Sequence, residues 1–418
     1  MKRYIVPGVR TPFVKAGAEF VSMNSIELSI PVVQAMANRS LPDFVAWGQV
    51  IPSANVSNIA REAWLEAGLD PSVPGFSSIL ACSTSMMAVI QASGMLGFGG
   101  SHLALVGGAE SMSHVPIALK PEVAQQVAGL AMKDPQAALG MVNDLNAGHF
   151  NLPIKGWANR LSGRSMGEHT EDTAKFFDIA RVDQDKIAFE SHQNAIAAQN
   201  AGFFDDLIVP LGDISQDTIP RADSTLEKLN SLSPVFDRSE SGTLTAGNSS
   251  PLTDGAAAIW VADETGLERL GIEQQNAIEI MDWRLGAMDY QEEGILMAPA
   301  RAIPQLLSAH GLALDDIAVW EIHEAFAAQV LANIQGITDP SYLRDKAGVK
   351  SDLGSFPMDR LNQTGGSLAI GHPFGATGAR VLSQAAKQLL ERTSGSYAVV
   401  SVCADGGQGS VMLLRKPE

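Results

Sequence analysis

The sequence predicts an α/β fold built from two similar halves, and three observations carry that prediction. Short continuous apolar runs, such as Leu103-Ala104-Leu105-Val106, alternate with helically spaced apolar residues along the chain. That is the pattern of buried strands and the helices that cross between them. At 418 residues the chain exceeds the size at which one core usually keeps growing. The order of elements also recurs. Strand, Cys82, helix and a Gly107-Gly108 loop in the first half match loop, His372, helix and Cys403 before Gly406-Gly407 in the second.

Taken in order, Tyr4–Val6 reads as a strand closed by Pro7 and Gly8. Ser25–Ala37 and Ser57–Ala67 read as helices, the second ended by Gly68. Ser78-Ile79-Leu80-Ala81 is a short apolar run leading into Cys82. Ser83–Ala92 is a helix with Met86, Val89 and Ile90 inward. After the strand at Leu103–Val106, Gly107–Ser113 reads as a loop. From Pro116 to Gly167 the pattern weakens into an excursion with amphipathic pieces at Val123, Val127 and Leu130. Asp183–Ala201 is a helix, Leu207–Pro210 a strand, and Ala256–Ala262 a buried strand. The alternation then repeats. Ala277–Met281, Ile317–Ile322, Tyr397–Val402 and Ser410–Leu414 are strands, and Pro299–Ala309 and Glu324–Ile334 are helices.

The bulk properties narrow the function. The apolar fraction is 45% and the charged fraction 18%, which fits a well-packed protein. A net charge of −17 argues against nucleic acid or anionic membrane as the main partner. Two cysteines cannot make a disulfide framework or a cysteine zinc site. No run is long enough for a transmembrane segment, and Met1–Val6 lacks the apolar region of a signal peptide. A cytoplasmic location is the default.

Four positions carry chemistry. His372 lies between Gly371 and Pro373 in Asn362-Gln363-Thr364-Gly365-Gly366-Ser367-Leu368-Ala369-Ile370-Gly371-His372-Pro373-Phe374-Gly375-Ala376-Thr377-Gly378-Ala379-Arg380. Proline suits the first position of a helix. The spacing of Leu382, Ala385, Ala386, Leu389 and Leu390 turns helical beyond it. This puts His372 at the N-terminal lip of a helix, as a catalytic group or as a capping residue. Cys82 ends an apolar run and opens a helix of small residues, where backbone N–H groups and the helix dipole favour a thiolate. A buried structural cysteine is the competing reading. Cys403 precedes Gly406-Gly407-Gln408-Gly409 and could act as acid or base, or be a small core residue. His323, between strand and helix, could orient a water or donate to an oxyanion, or simply cap. The other six histidines show no metal spacing and read as loop or surface residues. The glycines match neither nucleotide-binding pattern.

Together these segments resemble the thiolase family, over nearly the whole chain and in the family's order. The resemblance is carried by Val9-Arg10-Thr11-Pro12-Phe13, by Cys82 with its helix, and by Gly107-Gly108-Ala109-Glu110-Ser111-Met112-Ser113. It continues through Asn248-Ser249-Ser250-Pro251-Leu252-Thr253-Asp254-Gly255-Ala256-Ala257, His323-Glu324-Ala325-Phe326, Gly371-His372-Pro373, and Cys403 with its glycines. It implies two similar βαβαβαββ halves forming a five-layered α/β/α/β/α core. One half is 1–115 plus 243–270, the other 271–418, and 116–242 is an inserted loop domain covering coenzyme A.

The resemblance also implies the chemistry, the thiolytic cleavage of a 3-ketoacyl-CoA by CoA in fatty-acid β-oxidation. Cys82 would be the nucleophile that carries the acyl thioester. His372 would activate it and join an oxyanion hole, and Cys403 would be the acid/base. His323, where many relatives carry asparagine, would position a water in the enolate hole. The backbone N–H of Asp405 would serve a second oxyanion hole. Asp405 departs from the glycine of most relatives and brings a carboxylate near that hole. Ser83, Ser85 and Met86 stand at places often held by small residues. Ser250 and Arg221 match pantetheine and nucleotide contacts. No metal and no cofactor are implied, coenzyme A being substrate and product. A homodimer or homotetramer is implied, with a possible multifunctional β-oxidation subunit as partner, as for the thiolase subunits of fatty-acid oxidation complexes. The alternatives are a biosynthetic acetyl-CoA C-acetyltransferase and a non-catalytic thiolase-like acyl-CoA or lipid-binding protein.

Overall fold

Two strand sets of the same internal order meet edge to edge. The computed structural model describes residues 1–151 and 158–418. The first set is β1 (Tyr4–Val6), β2 (Phe44–Gly48), β3 (Gly75–Ser78), β4 (Leu103–Glu110) and β5 (Thr253–Ala262). The second is β6 (Ile278–Ala287), β7 (Ile317–Ile322), β8 (Tyr397–Ala404) and β9 (Gln408–Arg415). Along the sheet the order is β7-β8-β9-β6-β1-β5-β4-β2-β3. The first half therefore runs third, second, fourth, fifth, first. The second half runs the same way, with Leu361 taking the third place through an isolated parallel bridge to Trp320 of β7. In each half the second and fourth strands pair in parallel, and the fifth is antiparallel to both its neighbours. The halves join where β1 pairs antiparallel with β6.

Helices cover both faces. They are α1 (Ser25–Ala37), α2 (Ile59–Glu66), α3 (Thr84–Met95), α4 (Arg181–Asn200), α5 (Ala298–His310), α6 (Ala327–Thr338) and α7 (Phe374–Leu390). Alternate residues of one strand point to opposite faces, so each strand feeds two layers. Leu105 and Trp260 pack outward with Leu28 and Val32 of α1 and Trp64 of α2. Val399 and Leu413 pack outward with Ile303 and Leu306 of α5 and Val330 of α6. The opposite faces, with Val106 and Ile259 from one half and Val400 and Met412 from the other, close on Met86 and Val89 of α3 and Leu382 and Leu389 of α7. The result is the expected five-layered α/β/α/β/α core with α3 and α7 as the shared middle. Each large apolar side chain taken out of water there contributes about 1.5–3 kcal/mol. The two middle helices cross at Gly378, where a β-carbon would stand 2.4 Å from the Met86 backbone nitrogen.

Residues 1–114 and 166–418 form one compact unit, and 115–165 a second. Within the second, Ala118–Leu119 pairs with Phe150–Asn151, and helices span Pro121–Ala131 and Pro135–Asn143. Of its expected amphipathic positions Val123 is buried and Val127 and Leu130 are half-buried. The amphipathic pieces expected between Val123 and Leu152 reach residues 152–157, which lie outside the described residues. Among the described residues no helix is long and apolar enough to cross a membrane.

Several local expectations shift. The strand before Cys82 is Gly75–Ser78, not the apolar run itself, and Ile79 is 59% exposed. The strand ends because the chain must turn before Cys82. Gly107–Glu110 is not loop but the second half of β4, fully buried. Its glycines make room: a β-carbon on Gly107 would meet Ala257 O at 2.3 Å and the Trp47 ring at 2.5 Å. Leu207–Pro210 forms only one bridge, Ile208 to Arg10. The helix expected from Glu324 begins at Ala327, with Phe326 as its N-cap. His169 and His192 are buried on helices rather than lying in loops or at the surface.

Candidate active site

Cys82 sits on a tight turn between β3 and α3. Ser83 N donates to Leu80 O at 2.9 Å and Thr84 N to Ala81 O at 3.1 Å. Ala81 takes φ 43°, the left-handed region. A β-carbon makes that conformation cost on the order of 1–3 kcal/mol. Thr84 holds it: its hydroxyl accepts from Leu80 N at 2.8 Å and donates to Ala81 O at 2.7 Å. The small polar residues after Cys82 tie the turn to the other half. Ser83 bonds the Ser410 hydroxyl, and Ser85 accepts from Ala379 N at 2.9 Å. Met86 Sδ accepts from Ser410 at 2.9 Å, so this junction too is held by a side chain that follows Cys82.

His372 approaches from that half. Gly371 has φ 104°, where a β-carbon would stand 2.6 Å from Thr253 Oγ1. The same hydroxyl accepts the His372 N–H at 3.0 Å. Pro373 is the N-cap of α7 rather than its first residue. His372 Nδ1 lies 2.6 Å from Thr377 Oγ1, and its ring centre lies 4.2 Å from that of His323, with the planes tilted by 50°. His323, one residue beyond β7, donates its backbone N–H to Ser401 O at 2.8 Å. Its Nδ1 lies 2.9 Å from Ser367 Oγ.

Sequence segments some 240 to 290 residues apart thus converge. The Cys82 sulfur and one ring nitrogen of each histidine lie within 4.8 Å of one another. Both Nδ1 atoms are engaged, so Nε2 is the nitrogen each ring has left, and both Nε2 atoms are buried without a partner among the described residues. These three atoms could geometrically share a metal ion, although the thiol chemistry below calls on none.

Burial dominates the electrostatics. It pushes the Cys82 thiol up to about 12, with the Asp405 carboxylate adding to the shift and the Asp405 backbone N–H, bonded to the sulfur, opposing it. Burial, then the Arg380 guanidinium, pulls His372 down to about 3. Burial, His372 and Arg380 hold His323 well below its usual range. Cys403 is buried on β8, its thiol pushed far up by burial and by Cys82. Both cysteines are free thiols. Burial thus favours the thiol form of both cysteines and the neutral form of both imidazoles.

Buried carboxylates brace these loops. Glu110 accepts from Val50 N at 2.9 Å, Ile51 N at 3.1 Å and Gly375 N, in the first turn of α7, at 3.1 Å. Glu324 is not a first-turn residue. Its carboxylate accepts from Ser191 Oγ at 2.7 Å, Asn362 Nδ2 at 2.6 Å and Leu368 N at 3.1 Å, and so shapes the loop before His372. Ser250 is half-buried, with its N–H donating to Ala325 O at 3.0 Å. It lies between the Ser249–Phe326 and Leu252–His372 bridges, on the rim of the same site. Arg221 is exposed and is tied by its backbone N–H to His192 Nδ1 at 3.2 Å, outside the cluster. Thr377, Ser367 and Arg380 were not singled out from the sequence. The available signal was the placement of Thr377 one turn into the helix that follows His372.

The family description "Thiolase, N-terminal domain" matches residues 3–265, and "Thiolase, C-terminal domain" matches 274–416. A "Probable 3-ketoacyl-CoA thiolase" of Caenorhabditis elegans is 36% identical, covering 98% of this chain and 93% of the relative. A "3-ketoacyl-CoA thiolase" of Shewanella sediminis is 34% identical over 98% of this chain and 96% of its own. The solved Bacillus anthracis acetyl-CoA acetyltransferase superposes with a TM-score of 0.82 at 29% identity, covering 99% of this chain and 98% of that one. An Ascaris suum thiolase solved in complex with coenzyme A gives 0.79 at 26% identity over the full length of both chains.

Proposed function

The chain belongs to the thiolase family, and we propose from that premise that it is an acyltransferase cleaving 3-ketoacyl-CoA with CoA, in fatty-acid β-oxidation. The carrying observation is the convergence of the Cys82 sulfur with His323 and His372 within 4.8 Å. A protein that only bound acyl-CoA would need none of the three.

In this reading Cys82 sulfur attacks the 3-keto carbon while His372 Nε2 takes its proton. The thiol and imidazole are neutral at rest, so proton transfer accompanies attack rather than preceding it. The bond between C2 and C3 breaks, and the electron pair leaves on the acetyl-CoA enolate. His323 faces that developing oxyanion, and Cys403 returns a proton to the carbanion carbon. The remaining acyl group stays on Cys82 until a second CoA thiol, losing its proton to the site, displaces it. The Asp405 N–H, which opposes the upward shift of the Cys82 thiol, would serve the thioester step. A preorganised donor of this kind is worth about 3–4 kcal/mol in acyl transfer. Ser250 would meet pantetheine, and Arg221 the nucleotide end.

The likeness to an acetyl-CoA acetyltransferase keeps a condensing enzyme as second reading. A chain-length series of 3-ketoacyl-CoA substrates separates them, since turnover confined to acetoacetyl-CoA would favour the condensing enzyme. Assembly as homodimer or homotetramer, a multifunctional oxidation partner and a cytoplasmic location are parts of the same proposal. The direct test is mass spectrometry after incubation with acetoacetyl-CoA. An acetyl adduct is expected on the Cys82 peptide and absent in Cys82→Ala. An unmodified peptide under turnover would overturn the nucleophile.

A further inference from the structure

The two histidines present the same atom, Nε2, to the same site, yet the chemistry asks opposite things of them. His372 must offer a lone pair to the Cys82 thiol, and His323 must offer an N–H to an oxyanion. A neutral imidazole does one or the other, according to which nitrogen holds the proton.

The hydroxyls behind the rings differ in where their own protons go. Thr377 Oγ1 donates to Pro373 O at 3.1 Å, one turn back along α7. Its lone pairs are left for His372, 2.6 Å away, so Nδ1 carries the proton and Nε2 is a base. Ser367 Oγ instead receives Arg380 Nη2 at 2.6 Å, and it is fully buried. The remaining partner of its hydroxyl proton among the described residues is His323 Nδ1, at 2.9 Å. That leaves the ring proton of His323 on Nε2. Arg380 is itself 1% exposed and held by Gln384 Oε1 at 2.9 Å, so the guanidinium cannot swing away.

We propose that Thr377 and the Ser367–Arg380 pair hold His372 and His323 in opposite tautomers, making one a base and the other an oxyanion donor. These are positioning residues, acting through the rings, and the proposal rests on the thiolase reading of the site. It requires no change of protonation during the resting state, only that each hydroxyl keep its present partner.

The test reads the tautomers directly. With histidine labelled at its ring nitrogens, proton–nitrogen correlation spectra of the full-length protein are assigned with His372→Asn and His323→Asn. The expected result is His372 protonated on Nδ1 and His323 on Nε2. Thr377→Val should move the His372 signal to the other tautomer or a mixture, and Thr377→Ser should restore it. Ser367→Ala should move the His323 signal alone. Both rings in one tautomer, or signals indifferent to these substitutions, would overturn the proposal. Measuring the Cys82 acetyl adduct on the same samples separates it from the function. Opposite tautomers without adduct support the proposal and sink the proposed function, while adduct with like tautomers does the reverse.

Discussion

At the scale of single residues the unusual member is Asp405. Its N–H bonds the Cys82 sulfur while its carboxylate opposes thiolate formation, so one residue helps and hinders the same atom. Removing only the charge separates the two effects. Asp405→Asn keeps the backbone donor and is expected to let Cys82 ionise at lower pH. Iodoacetamide alkylation near neutral pH should then be faster, by roughly tenfold at most. An alkylation profile identical to that of the unaltered protein would show that the carboxylate has no hold on Cys82. The sequence made Cys82, His323, His372 and Cys403 visible because each sits at a strand end or helix start, where backbone donors gather. Ser367 and Arg380 were not visible, and Thr377 only through its place one turn into the helix after His372. Their roles depend on which atoms lie behind a ring, and hydroxyl and guanidinium side chains have no local pattern that says so.

At the scale of elements, the site depends on α3 and α7 approaching closely. Gly378 leaves no room for a side chain, because its nearest neighbour is the backbone of Met86 and not a flexible tip. Gly378→Ala should push the helices apart and cost about 1–3 kcal/mol. Denaturant unfolding gives that loss, and the acetylation rate of Cys82 should fall with it. Full activity with native stability would show that the crossing can relax. Glu110 does a related job from the sheet, joining the residues after β2 to the first turn of α7. Glu110→Ala leaves those N–H groups short of an acceptor and should cost about 1–3 kcal/mol in the same measurement. Strands and helices with clean apolar periods were legible to within a few residues. The misses are instructive. Gly107 and Gly108 read as loop because glycine is rare in strands, yet neighbouring backbone and the Trp47 ring fill the space a side chain would need. The apolar stretch 79–81 read as strand, yet tertiary demand at Cys82 bends it into a turn.

At the scale of the whole molecule, the five layers were legible from the resemblance, and the two similar halves from the repeated order of elements. The matching strand order could not be read, because Leu361 replaces an entire strand by one bridge. A buried charged network runs through the second half, and Glu321 shows its sign. Burial pushes its carboxyl from 4.5 to about 7, so the folded protein keeps a proton that the unfolded chain has released. Its contribution to stability is present below the unfolded value and is lost as pH rises from 4.5 through 7. Glu321→Gln should therefore gain on the unaltered protein between pH 5 and pH 8, by up to about 3 kcal/mol. Thermal unfolding at the two pH values checks this, and an equal difference at both would sink it.

The shared middle layer has a further consequence. α7 belongs to the second half in sequence, yet it covers β4 and β5 of the first as well as β7 and β8 of its own. Neither half can shield its inner face alone. Cut in the exposed turn Gln274–Asn276, the two fragments would each carry a sticky apolar wall and half of a reaction centre. They are natural candidates for complementation, silent apart and active when mixed, because the apolar surface each fragment leaves bare is the surface that tells it what to join.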